Sequence, residues 1–291
     1  MKTISFFLVI SIFLVVDKSS IAGEASIQVE SLKLGIFPRR GAATTDQMFQ
    51  PLVQSLSEQL NITISLETTH DFASFWQKVA KQEYDIVHFN QYHYVKSHAK
   101  YGYQVIVQNV ELGHDTIAGA ILVRRDSQIN SLQDLKGKKI VFGGGRGAMQ
   151  AYITATYLLR LAGLKQGDYF EHFALNPPKA SIATYYRQAT AAGAGNYVLD
   201  LPFVKKQINT DEMKYLAVSQ PMAHLPWAVK QSMPKKQMIQ LKEAMIDLVN
   251  SKKGKDILKA ARIDKFLPVT DRDYRPHREI INKVLAENYF P

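Results

Sequence analysis

Apolar positions along the chain follow two alternating rhythms. Ser31 to Phe37 (SLKLGIF), Ile62 to Glu67 and Tyr84 to Asn90 (YDIVHFN) are short runs that read as strands. Between the first two, Thr44 to Leu60 carries Met48, Leu52, Leu56 and Leu60 at every fourth position, with Phe49 and Val53 beside them. That spacing predicts an amphipathic helix, with Thr44 or Thr45 placed to cap it and Asp46 in its first turn. Asp71 to Lys81 predicts a shorter helix through Phe72, Phe75, Trp76 and Val79. A β-α-β-α-β order puts the strands in a parallel sheet with helices on its faces.

The rhythm then repeats. Ile117 to Arg125 and Lys138 to Gly143 read as strands, separated by a capped turn at Ser131 to Gly137. Gly144-Gly145-Arg146-Gly147 opens a helix from Ala148 to Ala162, which Gly163 is suited to end. A helix at Ala180 to Gln188 and a strand-like stretch at Ala189 to Val198 follow, then helices at Lys235 to Asn250, Gly254 to Ala261 and Arg275 to Asn288. The expectation is a two-lobe α/β protein with a ligand cleft between the lobes. The chain would build part of lobe 1 (23–118), all of lobe 2 (119–222), and return to lobe 1 with the C-terminal helices (223–291).

Residues 1–22 stand apart. Lys2 precedes the twelve-residue apolar run Ser5 to Val16, and Ser20-Ile21-Ala22 offers the small-x-small pattern cut by signal peptidase. Twelve residues fall short of the roughly 20 needed to span a bilayer. A cleaved signal peptide and a periplasmic location are expected.

Composition narrows the chemistry. With 46% hydrophobic residues, 14 Phe and 14 Tyr, the 291-residue chain can fold around sizeable cores, which excludes disorder. It has no cysteine, which excludes disulfides, thiol catalysis, Cys-ligated metals and a lipid anchor on cysteine. The net charge of +10 raises nucleic acid as a partner. Loss of residues 1–22 removes two lysines and one aspartate and changes that charge by only one. Lys235, Lys236, Lys242, Lys252, Lys253, Lys255 and Lys259 lie beside Met238, Leu241, Met245 and Leu258, the pattern of a solvated helix face. Without interleaved exposed aromatics, and on an exported chain, no nucleic-acid partner is expected.

Several motifs together resemble one family. Ala118 to Ser127 (AGAILVRRDS) runs on into Ser131 to Ile140 (SLQDLKGKKI). Tyr84-Asp85-Ile86-Val87 leads to Tyr94-Val95 and His98-Ala99-Lys100-Tyr101-Gly102. Tyr157-Leu158-Leu159 leads to Ala162-Gly163-Leu164, and Phe266-Leu267-Pro268-Val269 to Asp271 through Tyr274. These are similar to the solute-binding proteins of phosphate, phosphite and phosphonate ABC transporters, which have the type II periplasmic binding protein fold. The resemblance implies capture of a small anionic solute, no cofactor, and delivery to a transporter permease. In that family a Ser-Thr-Ser-Gly loop before the long lobe-2 helix binds phosphonate oxygens. Here the loop is Gly143 to Ala148 (GGGRGA), while Lys179 stands near a family histidine and Thr190 near a family aspartate.

The candidate ligand-binding residues follow from strand ends and loop chemistry. Arg39 and Arg40 follow the first strand, and Tyr92 and Tyr94 follow the third, at edges where open α/β sheets bind ligands. Lobe 2 would add Gly144, Gly145, Arg146, Gly147 and Ala148, whose backbone N–H groups suit an anion, and Lys179. Gly143-x-Gly145-x-x-Ala148 matches a dinucleotide fingerprint only formally, because no acidic residue follows at the expected strand end. His88, His93 and His98 lack metal-site spacing. No catalytic constellation is visible, so a monomeric binding protein is expected and not an enzyme. A ligand sensor docking on a membrane signalling receptor, or capture of a different small solute, remains the alternative.

Overall fold

The computed structural model describes residues 31–38 and 41–290. The expected signal peptide and both Arg39 and Arg40 lie outside the described residues. The chain begins β1 (Ser31–Ile36), α1 (Ala42–Leu60), β2 (Thr63–Glu67), α2 (Phe72–Ala80), β3 (Ile86–His88), α3 (Gln91–Tyr101) and β4 (Gln104–Val110). After β5 (Thr116–Ile117) come β6 (Gly119–Arg124) and β7 (Lys139–Gly143), then a π-helical segment (Met149–Thr154) that α4 (Ala155–Leu161) continues. β8 (Phe170–Ala174), α5 (Pro177–Tyr185), β9 (Ala191–Gly195), α6 (Pro202–Lys205) and β10 (Met213–Val218) complete this half. The return runs through β11 (Met222–Ala223), β12 (Pro226–Val229), α7 (Lys235–Asp247), α8 (Lys252–Ala261), β13 (Lys265–Pro268) and α9 (Arg275–Leu285).

Two sheets divide the molecule. The lobe-1 sheet has the order β13-β4-β12-β3-β1-β2, and the lobe-2 sheet β10-β6-β9-β7-β8. In each, the strands leading towards the cleft are parallel, β1 with β2 and β3 in one, β7 with β8 and β9 in the other. Between the sheets β5 and β11 form a two-stranded antiparallel ribbon, Ile117 opposite Met222 and Thr116 opposite Ala223. Among the described residues no helix is long and apolar enough to cross a membrane.

Local sequence explains much of this packing. In β1, Leu32, Leu34 and Ile36 enter the core, and Gly35 lets the Tyr84 ring lie flat on the strand, since a Cβ there would meet it at 2.6 Å. β9 is built from alanine and glycine only. A Cβ on Gly193 would lie 2.2 Å from the Ala151 carbonyl oxygen, so the small residues let the π-helical segment press onto the sheet. The cap of α1 differs from the sequence expectation. The helix starts at Ala42 with Gly41 at its N-cap, and the Thr45 hydroxyl donates back to the Gly41 carbonyl at 3.2 Å. Neither threonine caps, because both already lie inside the first turn.

Helix α9 ties the lobes together. Its buried face packs against α3 on one side and against the π-helical segment and α4 on the other. Arg278, only 2% exposed, donates to the Asp271 carboxylate at 2.5 Å, the Asp271 carbonyl at 3.1 Å and the Tyr289 carbonyl at 2.9 Å. On the lobe-2 side Arg160 donates to the Lys283 carbonyl at 2.5 Å. His277 is fully buried with neither ring nitrogen hydrogen-bonded, and burial, with Arg278 nearby, pushes its imidazole down to about 3.

Two outcomes follow from this helix. Arg278→Met leaves the Asp271 carboxylate without its guanidinium and should cost about 3–5 kcal/mol of unfolding free energy, read by urea denaturation. His277 is held neutral in the fold but protonates near 6.5 when unfolded. Its stabilising contribution is therefore complete above that pH and is lost as pH falls towards 3, at up to about 1.4 kcal/mol per pH unit. Urea midpoints measured between pH 7.5 and 4.5 should show that decline, and His277→Phe should make it shallower, with His93, held down in the same way, supplying the remainder.

Candidate functional site

The candidate site lies where the carboxyl edges of the two sheets face each other. On the lobe-1 side β3 ends and Asn90 turns the chain into α3. Asn90 is extended (φ −79°, ψ 163°), and its side-chain oxygen accepts the His93 backbone N–H at 2.8 Å, capping the helix. The same oxygen lies 2.8 Å from His93 Nδ1. The other end of the amide reaches lobe 2, with Nδ2 donating to the Gly147 carbonyl at 3.1 Å. Tyr92 and His93 flank this bond, and a Cβ on Gly147 would lie 3.3 Å from both rings. The lobes are closed on each other here.

On the lobe-2 side β7 runs into the glycine-rich loop. A Cβ on Gly143 would sit 2.2 Å from Pro177 Cα, so glycine admits the start of α5. Gly144 has φ +97°, a conformation that favours glycine, and donates its N–H to the Ala174 carbonyl at 2.8 Å. The π-helical segment begins after Ala148 and carries Gln150 in its first turn. Gln150 is only 7% exposed, and neither the oxygen nor the nitrogen of its amide has a hydrogen-bond partner. A buried, unsatisfied amide carries a cost that a bound polar ligand would remove. Gln150 is the first polar side chain after the glycine-rich loop, and that position is its one local signal.

The expected ligand residues separate into two groups. Tyr92 and Gly147 meet at the seam, while the Gly144 N–H is held by the Ala174 carbonyl and the Ala148 N–H by the Gly145 carbonyl. Tyr92 lies in the first turn of α3 and not at a strand end. Its hydroxyl donates to Glu287 at 3.0 Å and accepts from Lys96 at 3.2 Å. Burial, with the Glu287 carboxylate, raises this phenol well above its ordinary value.

Tyr94, Arg146 and Lys179 are engaged elsewhere. Tyr94 is fully buried and donates to the Asp271 carboxylate at 2.7 Å. Arg146 turns to the far edge of lobe 2, where it donates to Tyr152 at 2.7 Å and Glu171 at 2.8 Å and lies over the Phe173 ring at 5.7 Å. Glu171 on β8 therefore neutralises the cation expected to face an anion. The Lys179 ammonium lies over the Phe203 ring at 5.7 Å, while its backbone N–H is held by the Asn176 cap of α5. The three histidines also diverge. His88 stacks on Trp227 at 4.4 Å, His98 lies 3.6 Å from Asp271, and the described residues hold no cluster able to bind a metal.

Comparison with known proteins gives a consistent match. A family model described as "ABC transporter, phosphonate, periplasmic substrate-binding protein" matches residues 34–274. The fold is similar to a binding protein component of an ABC phosphonate transporter from Pseudomonas aeruginosa, with a TM-score of 0.75 at 15% identity over 89% of this chain and 87% of that one. It is also similar to a Prochlorococcus marinus protein solved with methylphosphonate, with a TM-score of 0.76 at 16% identity over 89% of this chain and 99% of that one. A Xanthomonas citri protein solved with ATP matches with a TM-score of 0.74 at 14% identity, covering 88% and 98%.

The seam predicts a closure variant. Gly147→Val adds bulk where even a Cβ would meet two rings at 3.3 Å. It should hold the lobes apart, raising the radius of gyration in small-angle scattering while leaving the far-ultraviolet circular dichroism unchanged.

Proposed function

This chain belongs to the ABC-transporter phosphonate periplasmic substrate-binding protein family, and from that membership we propose how its cleft captures a small phosphonate-class oxyanion. The family works in the periplasm, presenting a small solute to a transporter permease, and it is a transport family and not an enzyme family. This places the chain on the transport side of the alternative between solute delivery and membrane sensing. Residues 1–22 are, in this proposal, the signal removed on export.

The oxyanion sits between the glycine-rich loop and the start of α3. Backbone N–H groups of Gly145 to Gly147 and the Gln150 amide donate to its oxygens from lobe 2. Helix starts favour negative charge there even without the hydroxyls usual in such a loop. Arg39 and Arg40, in the segment between β1 and α1, supply cationic donors from lobe 1, where charge-assisted hydrogen bonds are strongest. The Tyr92 ring closes one wall. Tyr94, Arg146 and Lys179 support the lobes and do not touch the solute.

The observation that carries this reading is the buried, unpartnered Gln150 amide in the first turn of the helical segment after the glycine-rich loop. Closure then depends on ligand, because only the closed state completes contacts from both lobes.

The test is a thermal-shift and calorimetry panel of phosphate, phosphite, methylphosphonate, sulfate and acetate. Methylphosphonate at 100 times its dissociation constant should stabilise the fold by about 2.7 kcal/mol. Gln150→Ala should weaken binding about tenfold, the worth of one hydrogen bond, and Arg146→Ala should leave it unchanged. A panel in which no anion raises the melting temperature overturns the proposal.

A further inference from the structure

The tautomer of His93 is fixed by its neighbours. Asn90 Nδ2 meets a carbonyl oxygen on Gly147, so the nitrogen of that amide must face lobe 2 and its oxygen must face His93. An amide oxygen only accepts, so the proton of a neutral imidazole sits on Nδ1 and Nε2 keeps a lone pair.

The surroundings keep the ring neutral. It stacks on Phe72 at 5.4 Å and 16°, lies 5.5 Å from Trp76, and meets Tyr92 edge-on at 5.1 Å. Lys96, one turn along α3, repels a second cation, and together with burial it pushes His93 down to about 3. Glu287, the acid nearest Tyr92, is taken by the Tyr92 and Tyr289 hydroxyls. Nε2 has no hydrogen-bond partner among the described residues. Cε1, the carbon bonded to both ring nitrogens, abuts Gly147. Nε2, bonded to that carbon, therefore lies close to the glycine-rich loop.

We propose that His93 is a specificity-determining residue that makes the cleft select an oxyanion still carrying a proton, Nε2 accepting a hydrogen bond from the P–OH of a phosphonate monoanion. This rests on the functional reading above and names the ionisation state the site takes. The backbone N–H groups and the Gln150 amide serve the bare oxygens, and His93 serves the protonated one. A sulfonate of the same shape has three oxygens and no proton. It would set an oxygen lone pair against the Nε2 lone pair, with no donor to replace the missing hydrogen. Sites built to pair a substrate hydroxyl reject analogues lacking it far more strongly than apolar pockets reject a missing methylene.

Calorimetry with methylphosphonate and methanesulfonate from pH 5.5 to 9 tests this on the unaltered protein. Methylphosphonate should bind at least about a hundredfold more tightly at pH 6. Its affinity should fall about tenfold per pH unit above its second ionisation, as the monoanion disappears. His93→Phe keeps a ring against Phe72 but has no lone pair, and the preference should shrink to about threefold with a flatter pH profile. Equal affinity of the unaltered protein for the two ligands, or phosphonate affinity flat across that ionisation, overturns the inference and leaves the functional reading standing. If neither ligand binds, the functional reading fails and the inference fails with it.

Discussion

Asn90 uses every part of its side-chain amide at the seam between the lobes. Its oxygen caps α3 and orients His93, and its nitrogen bonds the Gly147 carbonyl of the opposite lobe. The contact requires a residue without a side chain on the lobe-2 loop, because Tyr92 and His93 stand where a Cβ would begin to crowd. One hydrogen bond and one glycine thus set how closely the sheet edges approach. Helix α9, packed on α3 and on the π-helical segment and α4 and bonded by Arg160, holds the same closed arrangement from the outside.

The electrostatics of the cleft depend less on formal charge than the +10 total suggests. Arg146 is paired with Glu171, Lys179 rests on Phe203, and Lys96 bonds Tyr92 and lies 5.0 Å over the Trp76 ring. In the proposed cleft, what lobe 2 offers a ligand is backbone N–H groups at a helix start and a neutral amide. Fixed dipoles of this kind are already oriented before the ligand arrives and lose little freedom when it binds. Such a site discriminates by donor and acceptor pattern, which suits choosing among oxyanions of similar size.

Several elements were legible from residue order alone. The period of four in α1, the apolar run of β3 and the glycine-rich turn after β7 are local signals, and each appears at its place in the fold. The family motifs were equally readable, because they consist of contiguous residues. Two side chains point away from where their place in the chain suggests, for one cause. The sequence put Arg146 in the cleft from its position in the loop, but a long side chain goes where its partner is. That partner, Glu171, lies 25 residues away on a strand the sequence reading did not mark. Tyr94 was drawn in the same way by Asp271, 177 residues distant. Gln150 escaped because an unsatisfied amide is visible only once burial is known.

The amino-acid sequence by itself determined the alternation of strands and helices, the two-lobe class and the family, since these rest on local periodicity and short motifs. It also determined that the lobe-2 loop carries no hydroxyl side chain. The tertiary structure alone decided which side chains face the cleft, because orientation depends on partners brought together by folding. It paired Arg146 with Glu171, set Lys179 over Phe203 and buried Gln150 without a partner. Each of these outcomes depends on contacts between distant segments, which no local pattern encodes.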